Sequence, residues 1–526
     1  MPTDLLAGHA QNAPDRVAII DGDASITYGE LNGTVNRLAN GLLALGVQPG
    51  DRAVWCGPNS VPVLTFLHAA RKIGLVAVPL AYRFTAEEMQ YVIDNSDAVL
   101  VVVDAEQADR VAAVRDQLTK VRHVVVFGGP SFEGAPARAA VGAGAMSWDE
   151  VLAGAPGSDG RGADAEPPTV GDPTAGATMI YTSGTTGKPK GALRTSTDPA
   201  LVMALLQELR LRPGEEVHIT SGPLYHSGPL AWAILTHTLG GSIVLLRHFD
   251  AERWIDLVRR HRVTNTFSAP TQLKRIVSLP DEVLARADLS SMRSLVANAA
   301  PVPYALKQEV IAKLGDGFLF EVYGSTELGV DTILPPEDQL RKPGSCGRTY
   351  GTVQVKIVGP NGRELPAGEP GELFIRSALA LDGYHRTAEP ISDRDGWKSV
   401  GDIAYVDDEG YVYICDRKND MIISGGMNIY PAEIEGVLHA HPDVMDAAVF
   451  GVPSDEWGES VHAVVQPKPG HTIDLGGLEA HAVEHLAGYK RPRSWEVRAE
   501  LPRTESGKLL KRLLRDEHWQ GRATRV

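Results

Sequence analysis

The amino-terminal part of the chain alternates between two patterns of hydrophobic spacing. Leucine and valine recur at helical intervals over residues 31–45, directly after Thr27 and Glu30, which have the spacing of a helix capping box. Thr85 and Glu88 introduce a second helix in the same way. Short apolar runs of strand length lie at residues 52–55, 75–79 and 98–103. This alternation predicts βαβ units around a parallel sheet.

The same alternation resumes from residue 176 to about 350, and then the spacing changes. Beyond 350, apolar residues recur at every second position in short segments separated by Gly and Pro turns, a pattern that predicts a small antiparallel β subdomain. After residue 417 the chain predicts a helix from Pro431, strands at 447–452 and 461–466, and a closing basic helix from Lys508.

These changes of pattern predict an α/β protein with two domains. Residues 1–417 are expected to form a large amino-terminal domain of α/β sheets plus the small antiparallel β subdomain, and residues 418–526 a smaller, mobile α+β domain. A chain of 526 residues exceeds the length at which a single core stops growing, which agrees with this division. Residues 129–176, rich in Gly, Ala, Pro and Asp, are predicted to be a long surface loop or an irregular junction between subdomains.

Composition and charge narrow the classes of function. Hydrophobic residues make up 43% of the chain and charged residues 22%, as in an ordinary globular protein. The formal net charge of −15 disfavours a nucleic-acid or anionic-membrane partner, because such binding requires clustered Lys and Arg. The three cysteines form no CxxC pair, and the amino terminus lacks both the basic start and the apolar core of a signal peptide. We therefore expect a cytoplasmic protein.

The longest apolar segment, residues 229–246, does not predict a transmembrane helix. His237, Gly240 and Gly241 interrupt it, so it falls short of an uninterrupted membrane-spanning run. We expect a buried helix, a turn and a strand there.

The segment YTSGTTGKPKG, residues 181–191, has the composition of a phosphate-binding loop. It combines hydroxyl groups, glycines and two lysines, and the small apolar run before it predicts that it follows a buried strand. Glycines let the backbone approach a ligand closely, and successive free N–H groups form an anion-binding nest. It is not a Walker loop, because only two residues separate Gly184 from Gly187 and Pro189 follows Lys188. The shorter SGTTG alone is equally typical of a surface turn.

A second polar motif, YGSTE at residues 323–327, follows the apolar run 317–321. We expect its side chains to project from the carboxyl end of a parallel strand, where open α/β sheets bind ligands. An aromatic ring suits stacking on a base, the hydroxyls suit phosphate oxygens, and the carboxylate suits Mg²⁺. The alternative is a turn with a helix-capping threonine.

Three further residues have side chains that suit a nucleotide. Asp402 follows a glycine at a predicted turn, and its carboxylate can accept hydrogen bonds from both ribose hydroxyls. Arg417 offers a fixed fork of donors to ribose or phosphate. Lys508 ends the segment LPRTESGK and supplies a cation that can offset the repulsion between a carboxylate and an α-phosphate as they are joined. Each residue alone is also typical of a turn or of a solvated side chain.

Together and in this order, these motifs resemble the acyl-CoA synthetases of the adenylate-forming superfamily over residues 10 to 515. The resemblance implies a large domain that binds ATP and a carboxylic acid, and a small domain that swings between two poses. It implies a hinge at Asn419, where the family usually has Asp or Lys, with Asp420 as the alternative. It also implies that His226, in Pro223-Leu-Tyr-His226, lies at a gate beside the reacting carboxylate.

The resemblance assigns individual roles to the motif residues. Lys508 serves adenylation, Thr326 contacts the α-phosphate, and Glu327 binds Mg²⁺. Tyr323 stacks on adenine, Asp402 and Arg417 hold ribose, and Lys490, with Arg491, meets a CoA phosphate. The residues expected to bind ATP or CoA are Thr182, Ser183, Gly184, Thr185, Thr186, Gly187, Lys188, Lys190, Ala299, Ala300, Pro301, Tyr323, Gly324, Ser325, Asp402, Arg417, Gly425, Gly426 and Lys490.

The implied activity is a ligase reaction with two steps. A carboxylate attacks the α-phosphate of MgATP and releases pyrophosphate, and a CoA thiol then displaces AMP to form a thioester. One alternative passes the acyl group to a separate carrier protein, since no fused carrier domain is expected after Lys508. Another is a nucleotide-binding sensor without catalysis, which the presence of Glu327, Asp402, Arg417 and Lys508 disfavours.

The acid is expected to be fatty, alicyclic or aromatic. An α-amino acid would need an acidic side chain near the gate to pair with its ammonium group, and residues 225–235 contain none. Small residues at Ala297, Gly324 and Gly329 leave room for a long or bulky tail. The sequence leaves the oligomeric state open, a homodimer included. The residues that follow His226 give the wall an apolar character, namely Gly228, Pro229, Leu230, Trp232 and Ile234.

Overall fold

The computed structural model describes residues 4–128, 145–154, 164–168, 170, 177–182, 189–194, 198–381, 383–386, 392–418, 420–503 and 509–519. The chain forms two compact units. The first comprises Met1–Phe267, Ala285–Leu295 and Ala378–Pro390, and the second comprises Ser268–Leu284, Val296–Ser377 and Ile391–Val526.

The α-helices within these ranges are α1 Leu5–Asn12, α2 Tyr28–Ala44, α3 Val61–Lys72, α4 Ala86–Asn95, α5 Ala108–Ala113, α6 Trp148–Ala153, α7 Pro199–Glu208, α8 Ser227–Thr238, α9 Ala251–His261, α10 Pro270–Val277, α11 Asp281–Leu284, α12 Tyr304–Leu314, α13 Pro431–His439, α14 Leu475–His485 and α15 Lys511–His518. The strands are β1 Val17–Asp21, β2 Ala24–Thr27, β3 Arg52–Cys56, β4 Val76–Leu80, β5 Ala98–Asp104, β6 His123–Phe127, β7 Ala145–Ser147, β8 Thr178–Thr182, β9 Lys190–Arg194, β10 Val217–Ile219, β11 Ser242–Val244, β12 Asn265–Ser268, β13 Ser294–Ala297, β14 Leu319–Ser325, β15 Gly329–Leu334, β16 Arg348–Thr349, β17 Gln354–Val358, β18 Gly371–Arg376, β19 Ser392–Arg394, β20 Trp397–Ser399, β21 Asp402–Val406, β22 Val412–Arg417, β23 Ile422–Ser424, β24 Met427–Ile429, β25 Val444–Ser454, β26 Gly458–Pro467 and β27 Ser494–Val497.

The first unit contains a mainly parallel sheet with the strand order β7-β6-β5-β3-β4-β8-β9. All neighbours in it are parallel except β8 and β9, which form an antiparallel pair. The three predicted strands near residues 52, 75 and 98 are confirmed as β3, β4 and β5. The antiparallel pair places the two ends of the predicted phosphate loop side by side.

A second group of strands in the first unit has the order β2-β1-β11-β10-β12, again parallel except for the β1–β2 pair. Helix α2 begins with the predicted capping box, in which the Thr27 N–H donates to Glu30 at 2.8 Å and the Glu30 N–H donates to the Thr27 hydroxyl at 3.2 Å. Its apolar face, including Leu31, Val35 and Leu38, is fully buried in the core of the unit. The predicted helix, turn and strand over 229–246 are confirmed as α8 and β11.

The prediction of a long surface loop over 129–176 was wrong for part of that segment. Strand β7 and helix α6 lie within it, and Trp148 and Val151 of α6 are buried. The signal that was missed is a third capping box, in which the Ser147 N–H donates to Glu150 at 2.7 Å. Farther along, Glu166 accepts a hydrogen bond from Asn32 at 2.7 Å, so residues 164–168 are anchored on α2.

The second unit consists largely of antiparallel strands, which confirms the change of pattern predicted after residue 350. Strands β17 to β22 form one antiparallel sheet, and β14, β15 and β16 form consecutive antiparallel pairs. The carboxyl-terminal part of the second unit contains a sheet with the strand order β24-β23-β26-β25. Strand β27 pairs with β26 in parallel. Helices α13 and α14 cover an apolar core that includes Ile434, Leu438 and Leu478.

Two further observations concern the cysteines and the hydropathy of the helices. Cys56, Cys346 and Cys415 are all free thiols. Within the described ranges, no helix combines the length and the hydropathy that a bilayer-crossing helix requires.

The core of the first unit contains histidines that burial keeps neutral. His68 Nε2 lies 2.8 Å from His237 Nδ1, and His237 Nε2 lies 3.0 Å from the carbonyl oxygen of Ala18. His218 Nδ1 lies 2.7 Å from the side-chain oxygen of Asn265. Burial lowers the pKa of His218 and of His237 to about 4, because the charged imidazolium loses its hydration inside the core.

We predict that the first unit loses stability as the pH falls from about 6.5 towards about 4. In that pH window the histidines of the unfolded chain bind protons that the buried histidines of the folded protein do not. The free energy of unfolding therefore decreases as the pH falls. The full contribution of the neutral histidines to stability is present above the pKa of the unfolded histidines. Each such histidine adds up to about 1.4 kcal/mol per pH unit.

Urea unfolding at several pH values measures this slope in the wild type and in His218→Gln, which keeps an amide donor for Asn265 but cannot be protonated. The variant should show the smaller slope. Equal slopes in the two proteins would contradict the prediction.

Candidate active site

Three predicted nucleotide-binding residues come together in the second unit, and we call them the nucleoside cluster: Tyr323, Asp402 and Arg417. Asp402 begins β21 and Arg417 ends β22, and the two residues are partners in the antiparallel register. The Arg417 Nε atom lies 3.5 Å from Asp402 Oδ1, and the Tyr323 hydroxyl donates a hydrogen bond to Asp402 Oδ2 at 2.5 Å. A hydrogen bond therefore holds one oxygen of the Asp402 carboxylate, and an ion pair with Arg417 holds the other.

The electrostatics of the nucleoside cluster leave it able to bind a ligand. Burial and the neighbouring Asp402 carboxylate raise the pKa of Tyr323 well above its usual value, so its phenol keeps the proton that it donates. A carboxylate has about four lone-pair sites, and the hydrogen bond from Tyr323 uses one of them. The Asp402 side chain is only 9% exposed, whereas that of Arg417 is 46% exposed, so guanidinium donors remain accessible.

The YGSTE motif forms a tight hairpin. Strand β14 continues through Ser325, farther than the apolar run predicted, and the chain turns at residues 326–328 into β15. The Leu328 N–H donates to the Ser325 hydroxyl at 3.0 Å. A Cβ atom on Gly324 would lie 2.0 Å from the Gly329 carbonyl oxygen, so only glycine permits this pairing. Thr326 and Glu327 are half-buried and lie just beyond the end of the strand.

The segment predicted to lie near adenine has a strained backbone. Ala299 has a φ of +75°, in the left-handed region that residues with a Cβ adopt at a cost of about 1–3 kcal/mol. The side chain of the preceding residue, Asn298, donates to the Val322 carbonyl oxygen beside Tyr323 and accepts a hydrogen bond from the Ala299 N–H. These bonds hold Ala299, Ala300 and Pro301 next to β14. Sequence analysis missed Asn298.

The described ends of the phosphate loop lie on the β8–β9 pair of the first unit. Strand β8 precedes the loop as predicted but ends at Thr182, inside the predicted loop segment, and Thr182 is the register partner of Lys190 at the start of β9. The Lys190 Nζ atom lies 5.6 Å from the centre of the Tyr384 ring, a cation–π contact. The remaining predicted loop residues lie outside the described residues, namely Ser183, Gly184, Thr185, Thr186, Gly187 and Lys188.

His226, the predicted gate residue, occupies the N-cap position of α8 in the first unit. Its Nε2 atom is buried and has no hydrogen-bond partner among the described residues. Burial lowers the pKa of His226 to about 4, so the imidazole is neutral near pH 7. A neutral imidazole with an unpartnered nitrogen can donate or accept one hydrogen bond, depending on its tautomer.

The residues around His226 form an apolar, aromatic wall. The Tyr225 ring lies 4.4 Å from that of His226 and 5.6 Å from that of Tyr82, and the latter pair is edge-to-face. Farther along α8, the Trp232 ring lies 4.9 Å from the Phe267 ring. A Cβ atom on Gly228 would lie 2.3 Å from the Phe267 ring, so glycine lets that ring pack directly on the helix backbone.

The predicted CoA-binding residues lie in the carboxyl-terminal part of the second unit. Gly425 and Gly426 form the turn between β23 and β24, with φ values of +56° and +78°. The Gly425 N–H donates to the Trp457 carbonyl oxygen at 2.8 Å. Lys490 pairs with Glu433 at 2.6 Å. Burial acts to lower the pKa of Lys490, but the Glu433 carboxylate outweighs it and raises that pKa.

Three predicted functional residues remain to be placed. The Arg491 guanidinium donates to the carbonyl oxygens of Leu486 and Val483, at 3.0 and 2.9 Å, and so completes the end of α14. Lys508 and Asn419 lie outside the described residues.

Comparison with known proteins links these groups of residues to one family. Residues 6–385 match the sequence profile of the AMP-binding enzymes, and residues 433–508 match that of the AMP-binding enzyme C-terminal domain. The two matches include the phosphate loop, the YGSTE hairpin and Lys508.

Curated relatives and solved structures match over nearly their whole length. A feruloyl-CoA synthase from Amycolatopsis is 36% identical over 512 residues, which cover 95% of this chain and 96% of that protein. A fatty acid–[acyl-carrier-protein] ligase from Streptomyces coeruleorubidus is 33% identical over 533 residues, covering 98% and 96%. The crystal structure of ATP-bound MatB from Rhodopseudomonas palustris superposes with a TM-score of 0.85 at 30% identity and covers 99% of each chain.

Proposed function

The chain belongs to the family of AMP-binding enzymes, and we propose that its nucleoside cluster holds the ribose of ATP during the synthesis of an acyl-CoA. The protein is an ATP-dependent acid:CoA ligase that forms AMP. It joins a carboxylic acid to AMP with release of pyrophosphate, and the thiol of CoA then displaces AMP from the acyl carbon.

The observation that carries the proposed site is the buried carboxylate of Asp402. Tyr323 donates a hydrogen bond to one of its oxygens and Arg417 forms an ion pair with the other, which orients the carboxylate and leaves lone pairs for two more donors. The vicinal hydroxyls of a ribose are two donors at the matching spacing. The strained backbone at Ala299, held beside β14 by Asn298, supports an adenine site next to Tyr323.

We assign the phosphates of ATP to residues 182–190 and to Thr326. Glycines and hydroxyls in that loop suit phosphate oxygens, and Lys190 adds a positive charge at its end. Glu327 fits Mg²⁺, because its half-buried carboxylate follows Thr326 in the turn after β14 and Mg²⁺ prefers oxygen donors. When bound, the ion would neutralise part of the phosphate charge.

Lys508 is assigned to the adenylation step alone. As the acid's oxygen bonds to the α-phosphorus and the bond to pyrophosphate breaks, two negatively charged groups approach each other. A lysine that contacts both lowers this repulsion most in the transition state, where the charges are closest. The thioester step joins a thiol to a neutral acyl carbon and does not need that cation.

The boundary between the two proposed domains belongs to the same two-step mechanism. We propose that residues 418–526 turn relative to residues 1–417 between the two steps and that the pivot is Asn419. Asp420 already pairs with Arg515 of α15 at 3.1 Å, so a pivot before Asp420 keeps this pair within the moving part. On the other side, Asp416 accepts a hydrogen bond from the Ala432 N–H at 3.1 Å, which that rotation breaks.

CoA binding is assigned to the exposed turn at Gly425 and Gly426 and to Lys490. Glycines without side chains suit a narrow passage for pantetheine. Lys490 reaches a CoA phosphate only after exchanging its present partner, Glu433, for the ligand. The pair with Glu433 keeps the lysine charged until then.

We propose that the acid is a bulky apolar one and that aromatic acids are preferred. The wall of Tyr82, Tyr225, Trp232 and Phe267 offers ring faces and edges, and aromatic pairs add about 0.5–1.5 kcal/mol to simple burial. The similarity to a feruloyl-CoA synthase, which acts on an aromatic acid, supports this choice.

Asp402→Asn should weaken ATP binding, because the amide removes the charge and one acceptor from the ribose site. A hydrogen bond to a charged group is worth about 1.5–3 kcal/mol, so the KM for ATP should rise roughly 10- to 150-fold. Tyr323→Phe, which removes only one donor to Asp402, should cause a smaller rise. Steady-state kinetics with each substrate varied provide the test, and a rise confined to the KM for the acid would refute the ribose assignment.

Lys508→Ala should abolish only the first half-reaction. Acid-dependent exchange of pyrophosphate into ATP should fall by roughly 100- to 1,000-fold, whereas thioester formation from a supplied acyl-adenylate and CoA should stay near wild type. Arg512→Ala, which removes an exposed cation from α15, is the matched control and should affect neither. Equal losses in both half-reactions would show that Lys508 does not act in adenylation alone.

Three acids of similar size test the proposed substrate class. 3-Phenylpropanoic acid should give a kcat/KM about two- to tenfold above that of nonanoic acid, which has equally many carbons but no ring. Phenylalanine differs from 3-phenylpropanoic acid only by its ammonium group and should be at least about 100-fold poorer, since residues 225–235 offer that charge no acidic partner. Release of AMP is the readout, and a preference for nonanoic acid would indicate a fatty-acid ligase instead.

One observation favours a second acceptor for the acyl group. A relative of nearly the same length that is 33% identical bears the name of a ligase for acyl-carrier protein. Repeating the thioester assay with a phosphopantetheine-bearing carrier protein in place of CoA distinguishes the two acceptors.

A further inference from the structure

Three side chains with metal-binding atoms meet in the carboxyl-terminal part of the second unit, apart from every residue assigned above. They are His462 on β26, Glu496 on β27 and His518, the last residue of α15. One ligand atom from each lies within 4.8 Å of the other two. His462 Nε2 and Glu496 Oε2 are 3.9 Å apart.

Among the three residues, His462 gives the clearest indication of a ligand-binding site. The residue is only 5% exposed, and its Nε2 atom is buried without a hydrogen-bond partner among the described residues. Its other ring nitrogen, Nδ1, lies 2.7 Å from the Ser494 hydroxyl oxygen. When Nδ1–H donates to Ser494, Nε2 holds a lone pair that faces the cluster. An unsatisfied buried polar group is unfavourable, so a ligand at this position stabilises the fold.

Glu496 is already oriented as a metal-binding carboxylate. Arg498 Nε donates to Glu496 Oε1 at 2.5 Å, and the other end of the Arg498 guanidinium pairs with Glu517 at 2.6 Å. This arrangement fixes the carboxylate and leaves Oε2 towards His462. Groups that orient a ligating side chain in this way are typical of metal sites in proteins.

We propose that His462, Glu496 and His518 bind a zinc ion. Two imidazoles and one carboxylate are a common ligand set for Zn²⁺, with bonds of about 2.0–2.2 Å that place neighbouring ligand atoms about 3.3 Å apart. The three atoms therefore have to close by about 1 Å, and exposed His518 at the end of its helix can make that movement. Water completes the coordination on the open side. Mg²⁺ is a poor occupant, because it prefers oxygen ligands.

The ion joins the end of α15 to the sheet beneath it. Leu514 of α15 is already buried in an apolar cluster with Phe450, and the Trp519 indole N–H donates to the Gly451 carbonyl oxygen at 3.0 Å. Zinc adds a bond from the same helix to both β26 and β27. In the chain, Glu496 precedes and His518 follows Lys508, so the ion restrains both flanks of that residue. An effect on adenylation rests on the role proposed for Lys508, whereas metal binding and unfolding do not.

The direct test is binding of Zn²⁺ by the full-length protein after removal of metal with a chelator. Equilibrium dialysis in excess Mg²⁺ should give one tightly bound Zn²⁺ per wild-type chain. His518→Gln and Glu496→Gln should weaken binding by more than the roughly 10- to 100-fold that is typical of losing an orienting group. His485→Gln removes an exposed histidine from the end of α14, just as His518 ends α15, and should bind Zn²⁺ as the wild type does.

Thermal unfolding supplies an independent readout. Saturating Zn²⁺ should raise the Tm of the wild type and of His485→Gln by mass action, but not that of His518→Gln. Without metal the three proteins should unfold at similar temperatures, because both histidines are exposed. The proposal would be overturned if the wild type, His485→Gln and His518→Gln bound Zn²⁺ with equal affinity, or if the wild type bound it as weakly as His518→Gln.

Discussion

A buried carboxylate needs donors, and the arrangement of the nucleoside cluster follows from that requirement. Asp402 is nearly inaccessible, so an unpaired charge there would be strongly unfavourable. The antiparallel register of β21 and β22 supplies Arg417 directly opposite, and β14 supplies the Tyr323 hydroxyl. Because side chains alternate across a strand, a slip of one residue in the β21–β22 pairing would turn Arg417 to the other face. The site therefore depends on strand register.

The need of charged side chains for partners also determines how α15 is held. Lys511 pairs with Glu435 of α13 at 2.8 Å, and Arg515 pairs with Asp420 at 3.1 Å. Lys511, Leu514, Arg515 and His518 have the spacing of a single helix face, so one face of α15 supplies two ion pairs, an apolar contact and a metal-binding nitrogen. Helix α15 is short and highly charged, and these contacts, rather than its own helix propensity, hold it in place.

The sequence predicted those features that depend on short stretches of chain. The capping box at Thr27, the strand before the phosphate loop and the change to antiparallel strands after residue 350 follow from spacing and turn chemistry, and all are observed. Asn298 was missed because its bond to the Val322 carbonyl joins distant segments. Likewise, the need for glycine at 324 comes from the Gly329 carbonyl across the hairpin. The family resemblance assigned roles to single residues, whereas the contacts that orient them required coordinates.

Under the proposed function the acid lies beside the apolar wall at His226, and its charge has to be met by another part of the enzyme. With a pKa of about 4, His226 is neutral at physiological pH, so it can make one hydrogen bond but does not attract a negative charge. Residues 225–235 include no basic side chain besides histidine, and the surrounding rings favour the hydrocarbon part of the acid. A carboxylate placed against such a wall is poorly solvated, and it loses its charge when its oxygen forms a mixed anhydride with the α-phosphate and pyrophosphate leaves. Under the proposed mechanism, the wall selects the acid by shape, and Lys508 and the phosphate loop supply the charge that the wall lacks.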